Sequence, residues 1–177
     1  MNPSPATSAL PRSDAARSDG ARATPQDGLQ ILEFVCRGRR FAVPLSCVRR
    51  AVLSARPEPL PGASEIVLGV LNVGGETVTV LDFARRAACG PTVISTAQQF
   101  LIVELKGFLC ALVVDAVNGP GVAERGADGW PAEVEAAGFV DGALGLSDGL
   151  CLVIDPARFL FDHEQAQLAK ALAEAAP

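Results

Sequence analysis

Residues 66–82 read IVLGVLNVGGETVTVLD, and this stretch decides the fold class. An apolar run over 66–73 is followed by the pair Gly74-Gly75 and by a second run over 76–81. In the second run valines alternate with threonines, which is the period of two that a β-strand shows. Two glycines between such runs are typical of a tight turn, because glycine adopts positive φ without steric cost. The stretch therefore predicts a β-hairpin.

The same pattern recurs on both sides of this hairpin. Short turns at 37–40, 106–107 and 147–149 separate apolar runs, and a helical turn is expected over 44–47. The runs predict further strands over residues 30–36, 41–43, 48–53, 99–105, 108–117, 139–146 and 150–154. Hairpins at this density indicate a mainly β protein built of sheets or barrels, and they argue against strand–helix–strand units.

The two ends of the chain differ from this β-rich middle. Residues 1–28 hold four prolines and almost no apolar residue larger than alanine, so we expect a disordered tail. Near the other end, Asp155-Pro156 is a helix-start signal, and the Ala-rich sequence after it predicts a helix with a break near Asp162. The predicted organisation is a tail over 1–28, a β domain over 29–162 and a C-terminal helix over 163–177.

The composition restricts the classes of function. The 177 residues carry a formal charge of −5 and include eight Phe, one Trp and no Tyr, which does not fit a nucleic-acid surface. The charge is uneven: residues 1–88 hold eleven Arg against eight acids, a net +3, whereas residues 89–177 hold four basic residues against twelve acids, a net −8. Surfaces of opposite sign suit docking to protein partners, and solvated faces that differ in sign are the plainer interpretation.

Cysteine usage and hydropathy predict a cytoplasmic protein. The five cysteines are odd in number and widely spaced, and Cys110 and Cys151 lie inside apolar runs, where we expect small buried hydrophobes in a reducing compartment. No secretory signal is visible at the N-terminus. The longest unbroken apolar run, 108–114, is far too short for a membrane span, so no direct membrane insertion is expected.

Three apolar runs end in aspartate, at Asp82, Asp115 and Asp155. Three acids raise the possibility of a metal or acid–base site. A carboxylate at the end of a strand more often caps the following turn or helix. We therefore predict caps, with no metal site and no cofactor.

The stretch Gly145–Gly149 matches the G-x-S-x-G nucleophile elbow, with Ser147 followed by Asp155 and His163 in the order of α/β-hydrolases. The context does not fit, because the elbow needs a helix after it and the residues over 150–154 predict a strand. A hairpin turn explains Ser-Asp-Gly directly. A small serine hydrolase using Ser147 stays a remote alternative, and no catalytic residue is predicted.

Arg37, Arg39 and Arg40 form a basic turn. A β-barrel that binds nucleic acid or a second messenger through this turn is a further alternative. A nucleic-acid surface requires such arginines to be interleaved with aromatic residues or to lie on a helix that fits a groove, and the sequence around this turn shows neither arrangement. A solvated turn is the plainer interpretation, and no nucleic-acid partner is expected.

The ordered segments, taken together from Gln30 to Phe161, resemble the CheW-like domain family, the coupling module of bacterial chemosensory arrays. The resemblance rests on short motifs that occur in the family's order: Phe34, Gly38, Phe41-Ala42-Val43-Pro44-Leu45, Cys47-Val48-Arg49, Leu60-Pro61, Ile66 to Gly75, Val80-Leu81-Asp82-Phe83, Phe108 to Val117, Phe139 to Gly145 and Leu152-Val153-Ile154-Asp155.

The resemblance implies a fold and a function. The implied fold is two five-stranded SH3-like β-barrels that share a core, with a C-terminal helix. The implied function is that of a non-catalytic scaffold, which links methyl-accepting chemoreceptor tips to a CheA-type sensor histidine kinase. In the family the groove between the barrels contacts receptors and the barrel ends contact the kinase. A cytoplasmic location, with recruitment to receptor arrays, follows.

Motif position implies a set of partner-binding residues. The family's partner-sensitive positions fall on Val48, Gly69, Asn72, Gly75 and Ile102.

Departures from the family pattern add two positions to this set. Gly74 stands where the family usually has the arginine of Asn-x-Arg-Gly, and Arg50 stands where a glutamate is common. Thr79 also replaces a common proline. Gly74 removes the forked donor of an arginine, and Arg50 reverses the charge at the rim of the surface. Together they predict an altered choice of partner, as in an atypical or antagonistic adaptor of a non-motility pathway.

Overall fold

A computed structural model describes residues 28–123, 138–146 and 149–175. The predicted tail over 1–28 lies outside these residues except for Gly28, and so do Ser147 and Asp148. The helical segments are a 3-10 turn (Leu45–Cys47), α1 (Phe83–Arg86) and α2 (Asp162–Ala175). The strands are β1 (Leu29–Cys36), β2 (Arg39–Pro44), β3 (Val48–Leu53), β4 (Val67–Val73), β5 (Glu76–Leu81), β6 (Gln99–Leu105), β7 (Phe108–Val114), β8 (Ala116–Ala123), β9 (Val140–Leu146) and β10 (Gly149–Ile154).

The strands form two five-stranded sheets with the same internal pattern. The first sheet has the order β8-β1-β2-β10-β9, and the second has the order β3-β6-β7-β5-β4. The predicted hairpins β1–β2, β4–β5, β6–β7 and β9–β10 all pair antiparallel. In each sheet two hairpins are joined by a parallel pair, β2 with β10 and β5 with β7.

Two strands connect the sheets. The chain leaves the first sheet after β2 to supply β3 to the second, and it leaves the second after β7 to supply β8 to the first. The two halves of the chain, β1–β5 and β6–β10, therefore follow the same path with the sheets exchanged. Each sheet contains strands from both halves of the chain. The backbone therefore connects the two sheets at β3 and at β8 and keeps them packed against each other.

A shared core lies between the sheets. Residues Leu101, Val103 and Leu105 of β6 belong to it, whereas Phe100 and Ile102 of the same strand belong to a smaller cluster inside the second sheet. Both faces of β6 are thus covered, which explains its continuous apolar sequence. The first sheet has an equivalent interior cluster around Ile31, Ala42, Cys151 and Val153.

Phe83 lies at the centre of the shared core. It is fully buried on α1, and its ring centroid is 5.0 Å from that of Phe34, 4.8 Å from Phe41 and 5.7 Å from Phe159. The first two rings belong to the first sheet, and the third precedes α2. A single aromatic side chain therefore holds the first sheet, α1 and the segment before α2 together.

The prediction that the strand-end aspartates cap the turn or helix after them is confirmed for Asp82 and Asp155 and is wrong for Asp115. Asp82 accepts hydrogen bonds from the Arg85 backbone N–H at 3.0 Å and from the Thr92 hydroxyl at 2.6 Å. Asp115 accepts from the Arg37 backbone N–H at 2.6 Å. Asp155 accepts from the Ala157 backbone N–H at 2.8 Å. The Asp82 and Asp155 carboxylates stabilise the turns that follow them, whereas Asp115 stabilises the β1–β2 turn, 78 residues earlier in the chain.

The strand predicted over 108–117 is wrong in its second part. β7 ends at Val114, and after Asp115 the chain enters β8, which pairs with β1 of the other sheet. The sequence Gly119-Pro120-Gly121 has the composition of a turn, and for that reason the strand β8 was not predicted from the sequence. Proline is tolerated there because β8 is an edge strand, where a missing N–H breaks no ladder.

The predicted helix start at Asp155 is also wrong. Residues 156–158 form a turn and α2 begins at Asp162, because Phe159 and Leu160 are drawn into the shared core. Leu168 and Ala171 bury the inner face of α2. Within the described part of the chain, neither helix has the length and apolar character that crossing a bilayer requires.

Candidate partner-binding surface

Arg50 and Ile102 lie on neighbouring strands. Arg50 is exposed on β3, the edge strand of the second sheet, and its cross-strand partner on β6 is Ile102. The pairing register of β3 shifts between Val48 and Arg50. Such an irregularity re-aims the following side chain and bends an edge strand away from further pairing.

The turn between β4 and β5 places three more of the predicted residues together. Gly74 and Gly75 have φ values of +69° and +93°, as a two-residue hairpin turn with positive φ at both central positions requires. The Asn72 side-chain carbonyl accepts a hydrogen bond from the Gly75 backbone N–H at 2.9 Å. Asn72 therefore fixes the shape of the turn from within.

Arg50 reaches across to this turn. Its Nη2 donates a hydrogen bond to the Val73 carbonyl at 3.0 Å. A Cβ built on Gly74 would lie 3.4 Å from the same nitrogen. The guanidinium thus lies in van der Waals contact with the position that a Cβ of residue 74 would take, and only atoms beyond Cβ would compete with it for space. We call Arg50, Asn72, Val73, Gly74 and Gly75 the turn patch.

A cleft of about 440 Å³ opens beside the turn patch. Its lining combines charged and apolar side chains: Arg49, Arg50, Glu76, Ile102, Glu104, Gly107 and Leu109. Within it, Arg49 Nη2 pairs with Glu104 Oε2 at 2.5 Å. The lining residues Glu76, Glu104 and Leu109 were not predicted, because the opposite charges on β3 and β6 become neighbours only once the strand order is known.

Two of the predicted residues lie outside both the turn patch and the cleft. Val48 is half-buried against the shared core. Gly69 is buried, with a φ of +144°, and a Cβ there would lie 2.2 Å from the Glu58 carbonyl oxygen. Glu58 and Val70 exchange backbone hydrogen bonds of 2.9 and 2.8 Å, so the close approach at Gly69 lets this connection cover the edge of β4. The structure gives Gly69 a packing role.

Comparison with known proteins identifies the family of this chain. Residues 30–164 match the CheW-like domain family. The chain belongs to the CheW-like family. The match covers both sheets and the first turn of α2, so the family assignment made from the sequence is confirmed.

Individual relatives are distant. The chain is 25% identical over 101 residues to the chemotaxis protein CheW of Rhizobium meliloti (strain 1021), covering 57% of this chain and 65% of that protein. It is 22% identical over 91 residues to the chemotaxis protein CheW of Bacillus subtilis (strain 168), covering 51% of this chain and 58% of that protein. The matched segments thus span less than two thirds of either relative.

A solved structure shares the fold. The scaffolding protein TtCheW of Thermoanaerobacter tengcongensis superposes with a TM-score of 0.67 at 22% identity, covering 77% of this chain and 95% of that one. The predicted fold is confirmed: the two five-stranded sheets are SH3-like barrels, and they share one core. The division of the CheW-like chain at 28/29 and at 162/163 stays a prediction.

Two residues of the hydrolase alternative, Asp155 and His163, have other partners. Ser147 lies outside the described residues. The Asp155 carboxylate is bonded to the Ala157 N–H and to Arg158 Nε at 2.6 Å. The His163 ring stacks on Phe161 with centroids 5.9 Å apart. This arrangement does not favour a triad.

The basic turn is tied into the protein as well. Arg37 Nη2 donates to the Pro91 carbonyl at 2.7 Å, and Arg40 Nε pairs with Glu33 at 2.7 Å. The Arg40 guanidinium beside Glu33 holds the pKa of that carboxyl below its usual value, although burial acts in the opposite direction. These contacts favour a structural turn over a nucleic-acid surface.

Buried thiols account for most of the cysteines. All five are free, and Cys36, Cys110 and Cys151 are buried, as predicted for the latter two. Burial raises the pKa of Cys110 to about 12 and, as its largest cause, that of Cys151 to about 11. A thiol with so high a pKa is a poor nucleophile at neutral pH. Across residues 28–123, 138–146 and 149–175, no group of three or more His, Cys, Asp or Glu side chains is placed to hold a metal ion.

Proposed function

We propose that this chain is a chemosensory coupling protein, a scaffold that links chemoreceptor tips to a CheA-type sensor histidine kinase. The observation that carries the proposal is the match of residues 30–164 to the CheW-like family. Two relatives are named chemotaxis proteins, and the protein with the same fold is named a scaffolding protein. The scaffold acts in the cytoplasm, recruited to receptor arrays, and it acts by contact without catalysis, metal or cofactor.

The turn patch and the cleft beside it are the proposed partner-binding surface. Four of the seven candidate residues, Arg50, Asn72, Gly74 and Gly75, meet in the patch. Ile102 forms part of the cleft wall. Val48 and Gly69 support this surface without forming part of it. Val48 packs on the shared core, and Gly69 allows the segment at Glu58 to cover the edge of β4.

Co-purification tests this function. The tagged full-length chain is expressed in its own organism, and the captured proteins are examined for chemosensory kinases and receptors. Capture of both is the expected result, since a coupling protein must contact each. Purified kinase and receptor tips are then added at concentrations that saturate related CheW-like proteins, and binding of neither would refute the proposal.

An antagonistic adaptor is a second candidate, and the charge at position 50 favours it. A CheW-like surface with Arg50 in place of the common glutamate presents a cation where partners of related proteins meet an acid. Such a reversal changes partner choice more readily than fold. Kinase activity in reconstituted receptor–kinase complexes separates the two functions, because a coupler raises phosphorylation and an antagonist lowers it.

A further inference from the structure

The Arg50 guanidinium is held in place without being neutralised. One nitrogen is bonded to the Val73 carbonyl at 3.0 Å, which fixes the direction of the side chain. Within the described part of the chain, no ion pair joins Arg50 to a carboxylate, whereas the neighbouring Arg49 pairs with Glu104. An arginine has five N–H donors in a fixed fork, so most of the donors of Arg50 remain available to a partner.

Gly74 makes this placement possible. A side chain at residue 74 would begin 3.4 Å from Arg50 Nη2, and its later atoms would compete with the guanidinium for the same space. The register shift before Arg50 directs it to the turn rather than along the edge strand. The two positions therefore work as a pair: the glycine leaves the space and the arginine fills it.

The surroundings indicate what kind of group Arg50 would contact. The adjoining cleft has an apolar side at Leu109 and at Ile102, which is 1% exposed, and both pack on the interior of the second sheet. Two carboxylates also line the cleft, Glu76 and Glu104, and Glu104 is paired with Arg49. A positioned cation beside an apolar wall is complementary to an acidic side chain that is flanked by an apolar one. Arg50 would bind the carboxylate through two parallel N–H bonds, and the neighbouring apolar group would enter the cleft.

We propose that Arg50 is the specificity-determining residue of the turn patch, and that it binds the carboxylate of an Asp or Glu on an exposed segment of the partner protein. The inference rests on the proposed coupling function. It also assigns the departure at Gly74 a cause, because the forked donor missing from residue 74 is supplied by residue 50 from β3, at the opposite edge of the same sheet.

Binding measurements on matched variants test this role. The affinities of the full chain for the purified kinase and for receptor tips are compared among wild type, Arg50→Glu and Arg50→Lys. A matched control is Arg56→Glu, which makes the same charge change at an exposed residue outside the patch and the cleft. Thermal unfolding of each variant shows that the fold is kept.

We expect Arg50→Glu to weaken binding of one partner on the order of tenfold to a hundredfold. Arg50→Lys should lose part of the affinity, since a lysine cannot form the fork, and Arg56→Glu should bind like wild type. The salt dependence of binding should also become shallower in Arg50→Ala.

A double-mutant cycle tests the pairing with Gly74. Gly74→Asn adds atoms beyond Cβ and tolerates the φ of +69° at this position, so it should weaken binding in the wild-type background and should have no further effect on binding in the Arg50→Ala background. Unchanged affinity of Arg50→Glu for both partners would overturn the inference while leaving the coupling function standing. If wild type binds neither partner, the coupling function fails, and the role of Arg50 fails with it.

Discussion

Replacing Glu164 by alanine should destabilise this fold by about 3–5 kcal/mol, the range seen when one partner of a buried ion pair is removed. Glu164 pairs with Arg86, and each side chain is only 10% exposed. The same carboxylate accepts a hydrogen bond from the Phe161 backbone N–H at 2.9 Å, at the start of α2. Arg86 also lies over the Phe161 ring, 4.1 Å from its centroid. Removing the carboxylate therefore leaves a largely buried cation without its counter-charge and a helix start without its acceptor.

Thermal and urea unfolding followed by circular dichroism measure the effect. For a chain of this length, 3–5 kcal/mol corresponds to a fall in Tm of about 6–20 °C. Glu174→Ala is the matched control on the same helix, because its pair with Lys170 is exposed (64% and 77%) and should contribute less than about 0.5 kcal/mol.

A double variant separates the pair from its surroundings. Arg86→Met together with Glu164→Ala should lose less stability than Glu164→Ala alone, because no unpaired cation is then left buried. Two results would refute the reasoning: a Glu164→Ala protein within about 1 kcal/mol of wild type, or a double variant that loses the sum of the two single changes.

Three more expectations follow from packing and titration. Phe83→Ala should cost about 3–5 kcal/mol in urea unfolding, since the cavity would open among three aromatic rings, and Leu53→Ala on the surface should cost less than about 0.5 kcal/mol. Gly69→Ala should lower Tm by more than 5 °C, on the order expected when backbone must move, because its Cβ would lie 2.2 Å from the Glu58 carbonyl, and a folded protein of wild-type Tm would contradict that contact. The raised pKa of Cys110, about 12 against 9.0 for a free thiol, means that the unfolded state loses its proton first as pH rises, so stability is unaffected below pH 9 and declines between 9 and 12. Between pH 8 and 10 the titration of this thiol should lower the free energy of unfolding by about 1 kcal/mol. In Cys110→Ala the free energy of unfolding should fall correspondingly less over the same range.

The hairpins and two of the three aspartate caps were predictable because they depend on neighbouring residues, whereas Asp115 caps a turn 78 residues earlier in the chain. Gly74-Gly75 and Lys106-Gly107 form turns because glycine accepts positive φ, although Lys106 also adopts a φ of +49°, and Asp82 caps the residues that immediately follow it. Where a local signal had two uses, the prediction failed. Asp155-Pro156 can begin a turn or a helix, and the burial of Phe159 and Leu160 decided for the turn.

The candidate site was predicted as a set of positions and not as an arrangement. The sequence shows that Arg50 and Gly74 both depart from the CheW-like pattern. It does not show that the two departures touch, because that contact requires β3 and β4 to lie at opposite edges of one five-stranded sheet whose closure into a barrel brings the β3 side chain to the β4–β5 turn. The residues at Glu76, Glu104 and Leu109 were missed for the same reason.

The mainly β class, four hairpins, the family and the caps at Asp82 and Asp155 followed from the sequence alone, because strand period, turn glycines and these capping carboxylates act over a few residues. The tertiary structure decided that β3 and β8 exchange sheets, that Arg86 meets Glu164 78 residues away, and that Arg50 meets Val73 23 residues away. Those contacts depend on strand order and on how two sheets bury a common core. Local backbone preference carries no information about either, since the free energy that selects them comes from packing between distant segments.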